Sequence, residues 1–339
     1  MPRRAWLCLL LLCGSLSISA LAAEGILRLL GYHGAPFSRI SNVYPVDDPL
    51  LDWRYLPNSE LKEGRILYRY NNFGFRDSSR AIQKPLDVKR VIVLGDSVTE
   101  GYGVPWDSVF SSHIQSALGS QFEVITIAAG GLNTPQEVHL LEKEGLRYDP
   151  DILILNFVLN DIDFYTNYQG ARRYNALVDS QIGLLNIPIH PRIKQFLKSS
   201  ALIYFVKERV ENLKGRILGQ EETDYFTRLW TNQDNRQKVI KGFDRLQAIQ
   251  EERQLTVVVI VWPVLTDFTD YRFKWIHEWV KTEAVKRGFS TVDLLKAFRS
   301  VPYRKLQLTA EDPVHPNAMG HKIAAEAYLR SSAQAGRAL

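Results

Sequence analysis

The strongest constraint on the fold is a rhythm that begins at Arg90, where short aliphatic runs alternate with amphipathic stretches to the end of the chain. VIVLGD predicts a strand. Trp106, Val109, Phe110, Ile114, Ala117 and Leu118 then fall on one face of a helix, the spacing of a helix lying on a sheet. FEVITIA reads as a second strand, TPQEVHLLEKEGLRYD as a helix with Pro135 near its start, and DILILNFV as a third strand. LTVVVIVW, the helix TDYRFKWIHEWVKTEAVKRG, the short strand FSTVDL and the helix NAMGHKIAAEAYLRSSA complete the series. Such alternation predicts an α/β fold: a three-layer α/β/α sandwich with a central parallel sheet of about five strands.

The chain has 339 residues, 45% of them hydrophobic, enough to bury a full core. Residues 1–22 have a basic start, an apolar stretch and small residues at Ala20 and Ala22, the layout of a signal peptide. The same stretch, uncleaved, would serve as a membrane anchor. Either way the body is expected to be exported, to a periplasmic or extracellular location. Residues 23–86 form an N-terminal lead-in, expected to pack on a main domain over 87–332. Within that domain, 163–254 is too long for an ordinary crossover and is expected to be a helical insertion over the cleft mouth.

Composition narrows the function classes. Both cysteines, Cys8 and Cys13, lie in the N-terminal segment, so the mature chain would have no thiol nucleophile, zinc-thiolate site or disulfide framework. The net charge of +5 is dispersed rather than blocked, which argues against a nucleic-acid partner. His113, His139, His277 and His321 sit in helical patterns with no ligand partner at metal spacing, and His33 and His190 lie in irregular segments. No metal and no cofactor are expected.

The first strand ends in Gly95-Asp96-Ser97, and the carboxyl edge of a parallel sheet is where such folds bind ligands. Ser97 alone reads equally as a helix cap or as a reactive hydroxyl at a cleft. Other strand ends add polar groups: Gly130 and Gly131 after the second, Asn160 and Asp161 after the third, and Asp312 and His315 before the last helix. These types suit acyl transfer. A serine hydroxyl needs an imidazole to take its proton, the imidazole needs a carboxylate to fix its tautomer, and the oxyanion needs N–H donors. Asp96, Asp161 and Asp163 read as turn or sheet-edge hydrogen-bonding groups. Trp262, Phe268 and Tyr271 are candidates to line an acyl pocket, with core packing preferred for Trp262.

GDSVTEG, Gly131, Asn160 and Asp312-Pro313-Val314-His315, in this order, resemble the SGNH hydrolases, also called the GDSL esterase/lipase superfamily. The resemblance spans about Arg90 to Leu329 and implies the flavodoxin-like fold of that group. It implies Ser97 as nucleophile, Asp312 and His315 as its triad partners, and an oxyanion hole from the Ser97 N–H, Gly131 and Asn160. The lead-in NNFGFRD also resembles one found in exported bacterial members. Two positions depart from the usual pattern: Val158 stands where the third block has glycine, and Thr126 where the second block often has asparagine. α/β-Hydrolases are set aside, because their G-x-S-x-G elbow needs a second glycine where Thr99 stands.

The expected activity is hydrolysis of a carboxylic ester, O-acetyl or short acyl, through an acyl-enzyme. An O-acyltransferase on a cell-envelope glycan would use the same residues. A binding protein that kept the fold and lost the chemistry is the reading from another class; the presence of Ser97, Asn160, Asp312 and His315 together argues against it. The expected partner is a small-molecule or glycan ester, with peripheral or anchored membrane association through the N-terminal segment as a further expectation.

Overall fold

The computed structural model describes residues 3–30, 42–51, 53–163, 200–203, 205, 206, 209, 222–309 and 312–334. The chain divides into two compact units. One comprises Met1–Ser41 with Asn175–Asp224, the other Asn42–Tyr174 with Tyr225–Leu339.

In the first unit, helix α1 spans Arg3–Leu29. Near its end the Glu24 carboxylate accepts hydrogen bonds from the Ala201 and Leu202 N–H groups and from the Ser200 hydroxyl. The Leu202 N–H is the largest influence holding Glu24 down to about 2. Among the described residues, no helix is long and apolar enough to cross a membrane.

The second unit opens with two antiparallel pairs. Strand β1 (Val43–Pro45) pairs with β2 (Trp53–Tyr55), and β3 (Glu60–Glu63) with β4 (Ile66–Arg69). Gly64, with φ +58°, opens the β3–β4 turn, where tight hairpins need a positive φ. Tyr55, Leu61, Tyr68 and Tyr70 from these pairs form a small core of their own.

The main sheet follows the aliphatic runs read from the sequence. It contains β5 (Lys89–Gly95), β6 (Phe122–Ala128), β7 (Ile152–Phe157), β8 (Thr256–Val261) and β9 (Ser290–Asp293). All four pairings are parallel, in the order β6-β5-β7-β8-β9. Every residue of β7 is buried, as a strand covered on both faces requires. The order is the flavodoxin-like one, and its direction reverses between β5 and β7. Ligand-binding crevices open at such a reversal. The strand ends carrying Ser97 and Asn160 are the two that flank it.

Short helix α2 (Ser97–Glu100) leaves β5, and α3 (Phe110–Leu118) and α4 (Thr134–Lys143) follow. Trp106 falls in a separate 3-10 turn, because the helix starts only at Phe110. Helix α4 begins with the Asn133 side chain bonded to the Gln136 N–H and the Gln136 side chain bonded back to the Asn133 N–H. Then come α5 (Glu222–Thr231), α6 (Gln233–Arg253), α7 (Lys274–Lys286), α8 (Leu295–Phe298) and α9 (Ala318–Gln334). Helix α3 packs with α9, and α4 with α6, which also meets α7.

Part of the stretch 163–254, expected as an insertion, belongs to the main core. Helix α6 lies inside it yet serves as the crossover into β8: Val239, Phe243, Leu246 and Ile249 are all buried in the main core. Residues 164–199 of that stretch lie outside the described residues.

Candidate active site

Gly95 ends β5 because nothing larger fits. A Cβ there would lie 2.2 Å from the Thr99 hydroxyl and 3.1 Å from the Asn156 carbonyl oxygen. The chain then turns into α2, which Asp96 caps by accepting the Val98 N–H at 2.8 Å. Ser97 is thereby placed at the first position of α2, at the carboxyl end of β5. Gly101, in the left-handed region at φ +77°, ends the helix after one turn.

The lead-in grips this turn. Arg76 donates from Nη1 to the Glu100 and Gly101 carbonyl oxygens, at 3.0 and 2.5 Å, and from Nη2 to that of Val104 at 2.7 Å. Its guanidinium also lies over the Tyr68 ring, 4.2 Å from the centroid. The hydroxyls of Tyr55 and Tyr70 donate to the two carboxylate oxygens of Glu100. The sequence places Tyr55, Tyr68, Tyr70 and Arg76 in a lead-in that packs on the main domain and marks none of them as part of the site. The signal was the NNFGFRD motif, whose arginine is 2% exposed.

Opposite Ser97 stands the loop before α9. Asp312 organises it: Oδ1 accepts the N–H groups of Val314 and His315, at 3.0 and 2.9 Å, and Oδ2 meets His315 Nδ1 at 2.8 Å. Burial acts on Asp312 most and upward, but the bonds from His315 and Val314 together pull it below the usual carboxylate range. Leu265 N–H donates to the Pro313 carbonyl oxygen at 2.7 Å, tying this loop to the end of β8. The free edge of the imidazole, Nε2, lies 2.9 Å from Ser97 Oγ. Tyr102, one residue past the α2 turn, meets the His315 ring edge-on, with centroids 4.7 Å apart. No sequence pattern singled out Tyr102.

Asn160 enters from the end of β7. The Val158–Asp161 turn is closed by Asp161 N–H to the Val158 carbonyl oxygen at 3.0 Å, and by Val158 N–H to Asp161 Oδ2 at 2.7 Å. Asn160 Nδ2 donates to Asp96 Oδ2 at 2.9 Å. Ser97 Oγ is 3.3 Å from the same oxygen. Gly131 lies in the loop after β6 with φ +76°, a conformation that favours glycine, and is exposed. The hydrogen bonds among the described residues join Ser97, His315 and Asp312 in a chain and bring Asn160 to it through Asp96; they do not include Gly131.

Beneath the serine turn lie three buried carboxyls. Burial raises Asp96, while Asn160 and Val98 pull it back. Glu137 and Asp161 are pushed well above the usual carboxylate range, by burial first and then by neighbouring negative charge. Both Glu137 oxygens, Asp161 Oδ1 and the whole Asn156 amide have no hydrogen-bond partner among the described residues.

The remaining candidates fall elsewhere. Trp262, Phe268 and Tyr271 are buried in the core, and the Tyr271 hydroxyl is held by His277 and the Val264 N–H rather than lining a pocket. His277 also bonds Asp293, His139 bonds Asp48, and His321 accepts the Phe110 N–H. His33 and His190 lie outside the described residues. Val158 is buried in the floor beside Asn160, and Thr126 bonds Ser111 within the core.

An open parallel sheet with a serine, an imidazole and a carboxylate in hydrogen-bonded sequence at its switch point defines a class of α/β proteins equipped for acyl chemistry. Within that class the chain belongs to the GDSL-like lipase/acylhydrolase family, whose sequence profile matches residues 93–323, more than half its length. Solved structures similar to the chain include a lipase/acylhydrolase from Enterococcus faecalis, 16% identical, covering 72% of this chain and 95% of that one with a TM-score of 0.41. A GDSL-like lipase from Bacteroides thetaiotaomicron is 12% identical over 73% of this chain and 89% of that one, with a TM-score of 0.42. A carbohydrate acetylesterase family member from Sinorhizobium meliloti is 14% identical over 74% of this chain and 100% of that one, with a TM-score of 0.41. No curated protein matches the sequence. The family assignment rests on the matched profile, and the fold assignment on the strand order.

Proposed function

We propose that the protein is an exported serine esterase that hydrolyses an O-acetyl or short-chain carboxylic ester. The observation that carries this reading is the unbroken chain from Ser97 Oγ to His315 Nε2 at 2.9 Å and from His315 Nδ1 to Asp312 Oδ2 at 2.8 Å. Export is inferred from the basic, apolar and small-residue succession of residues 1–22.

In the proposed reaction Ser97 Oγ attacks the ester carbonyl carbon while its proton passes to His315 Nε2. Asp312 holds Nδ1–H and supports the imidazolium. The carbonyl π electrons move onto oxygen, and the Ser97 N–H, the Gly131 N–H and Asn160 Nδ2 are the proposed donors to that oxyanion. Collapse expels the alcohol, which takes the proton from Nε2 and leaves an acyl-serine. Water, deprotonated by His315, attacks the acyl carbon, and the carboxylate product departs as Ser97 regains its proton.

A sugar hydroxyl in place of that water would make the same protein an acyltransferase. The deciding experiment incubates the mature domain with a panel of acetyl and longer acyl esters, with and without an acetyl-free glycan acceptor, using Ser97→Ala as blank. Free carboxylate in both arms is expected. Acylated glycan in place of free acid would assign the transferase, and no Ser97-dependent product in either arm would overturn both readings.

A further inference from the structure

Asn160 poses a problem of orientation. A side-chain amide has a donor end and an acceptor end of nearly the same shape, and only the donor end can stabilise an oxyanion. Wrongly turned, Asn160 would present Oδ1, a repulsive partner for the developing charge. Oδ1 itself is buried with no hydrogen-bond partner among the described residues, so its own contacts do not fix the orientation.

The neighbour that discriminates the two ends is Asp96. Its side chain is fully buried and held from one side by the Val98 N–H on Oδ1 at 2.8 Å. Oδ2 is thereby directed at Asn160 and accepts Nδ2–H at 2.9 Å. A carboxylate only accepts, so turning the amide over would set oxygen against oxygen. One Nδ2–H is committed to Asp96; the second remains for the substrate.

We infer that Asp96, in addition to capping α2, is a positioning residue that fixes the Asn160 amide with its N–H donor toward the reacting carbonyl. The inference rests on the esterase reading above and adds a role for Asp96 to it. The same oxygen lies 3.3 Å from Ser97 Oγ, so one carboxylate spaces the nucleophile and the oxyanion donor against a common point.

Asp96→Asn is the discriminating change, since asparagine caps a helix as well as aspartate but can face Asn160 with either end of its amide. The measurement is a double-mutant cycle with Asn160→Ala, reading kcat and KM per folded molecule. With Asn160 present, Asp96→Asn is expected to lower kcat at least about tenfold while KM moves less than about twofold. In the Asn160→Ala background the same change should alter kcat by less than about threefold, because the group it acts through is gone. Equal losses in both backgrounds would overturn the inference and leave the esterase reading standing. Wild-type kcat in Asn160→Ala itself would overturn the oxyanion role of Asn160 and this inference with it. Should Asp96→Asn fail to fold, the wild-type protein supplies the test: its Asn160 side-chain amide, identified by its loss in Asn160→Ala, should exchange slowly with solvent in ¹⁵N spectra. Free exchange of both its hydrogens would overturn the inference.

Discussion

Arg76 donates to the carbonyl oxygen of Gly101 at the end of the single helical turn that begins at Ser97. Two further carbonyls, of Glu100 and Val104, are met by the same guanidinium. The Ser97 and Val98 carbonyls are met by the Gly101 and Tyr102 N–H groups, whereas that of Glu100, at the end of the turn, takes its donor from a buried arginine of the lead-in.

Replacing Arg76 by Met should therefore take the donor from the Glu100 and Val104 carbonyls, while that of Gly101 keeps the Val104 N–H at 3.1 Å, and destabilise the fold by about 3 kcal/mol. The remaining folded molecules should turn over more slowly, since the freed turn carries Ser97. Urea unfolding together with kinetics on the same preparation checks both. An unchanged midpoint would remove the lead-in from the support of the site.

The alternation of strands and helices was legible because each buried strand and each helix face is a local pattern of the sequence. The same holds for the order of Ser97, Asn160, Asp312 and His315. What was not legible is what joins distant segments. Arg76 meets carbonyls 24 to 28 residues further along the chain, and the local spacing of FGFRD says nothing of that. By length the interval 163–254 reads as an insertion, although within α6 Val239, Phe243, Leu246 and Ile249 recur at three- and four-residue steps, the signature of a helix on a sheet. The length of the interval outweighed that periodicity.

Glu137 gives a pH dependence of stability. Its folded pKa is raised, so its favourable contribution is complete below its ordinary value of 4.5 and is lost as pH climbs toward the raised one. The Glu137 contribution should therefore fall as pH rises above its ordinary value, so Glu137→Gln should gain stability relative to the wild type on going from about pH 5 to about pH 8. Unfolding free energies at the two pH values decide it. Parallel pH profiles in the two proteins would contradict the assignment.

His321 acts on the acid side. Burial, the largest influence, depresses it from 6.5 to about 3, and its Nδ1 accepts the Phe110 N–H at 3.3 Å. Its contribution is fully present above 6.5 and lost as pH falls toward 3. His321→Leu should cost about 1 kcal/mol at neutral pH through the lost hydrogen bond. Near about pH 4 it should be the more stable protein, because it has no imidazole that gains a proton on unfolding. Thermal unfolding at both pH values reads the crossover, and a mutant less stable at both would contradict it.

The central claim is that Ser97 is the nucleophile, activated by His315. Intact-mass analysis after treatment with a fluorophosphonate tests it most directly, because the reagent bonds only to a serine whose proton is being taken. The account predicts one adduct per wild-type molecule, mapped to Ser97, and none on a folded Ser97→Ala variant. An adduct of equal yield on Ser97→Ala, or none on the folded wild type, would contradict it.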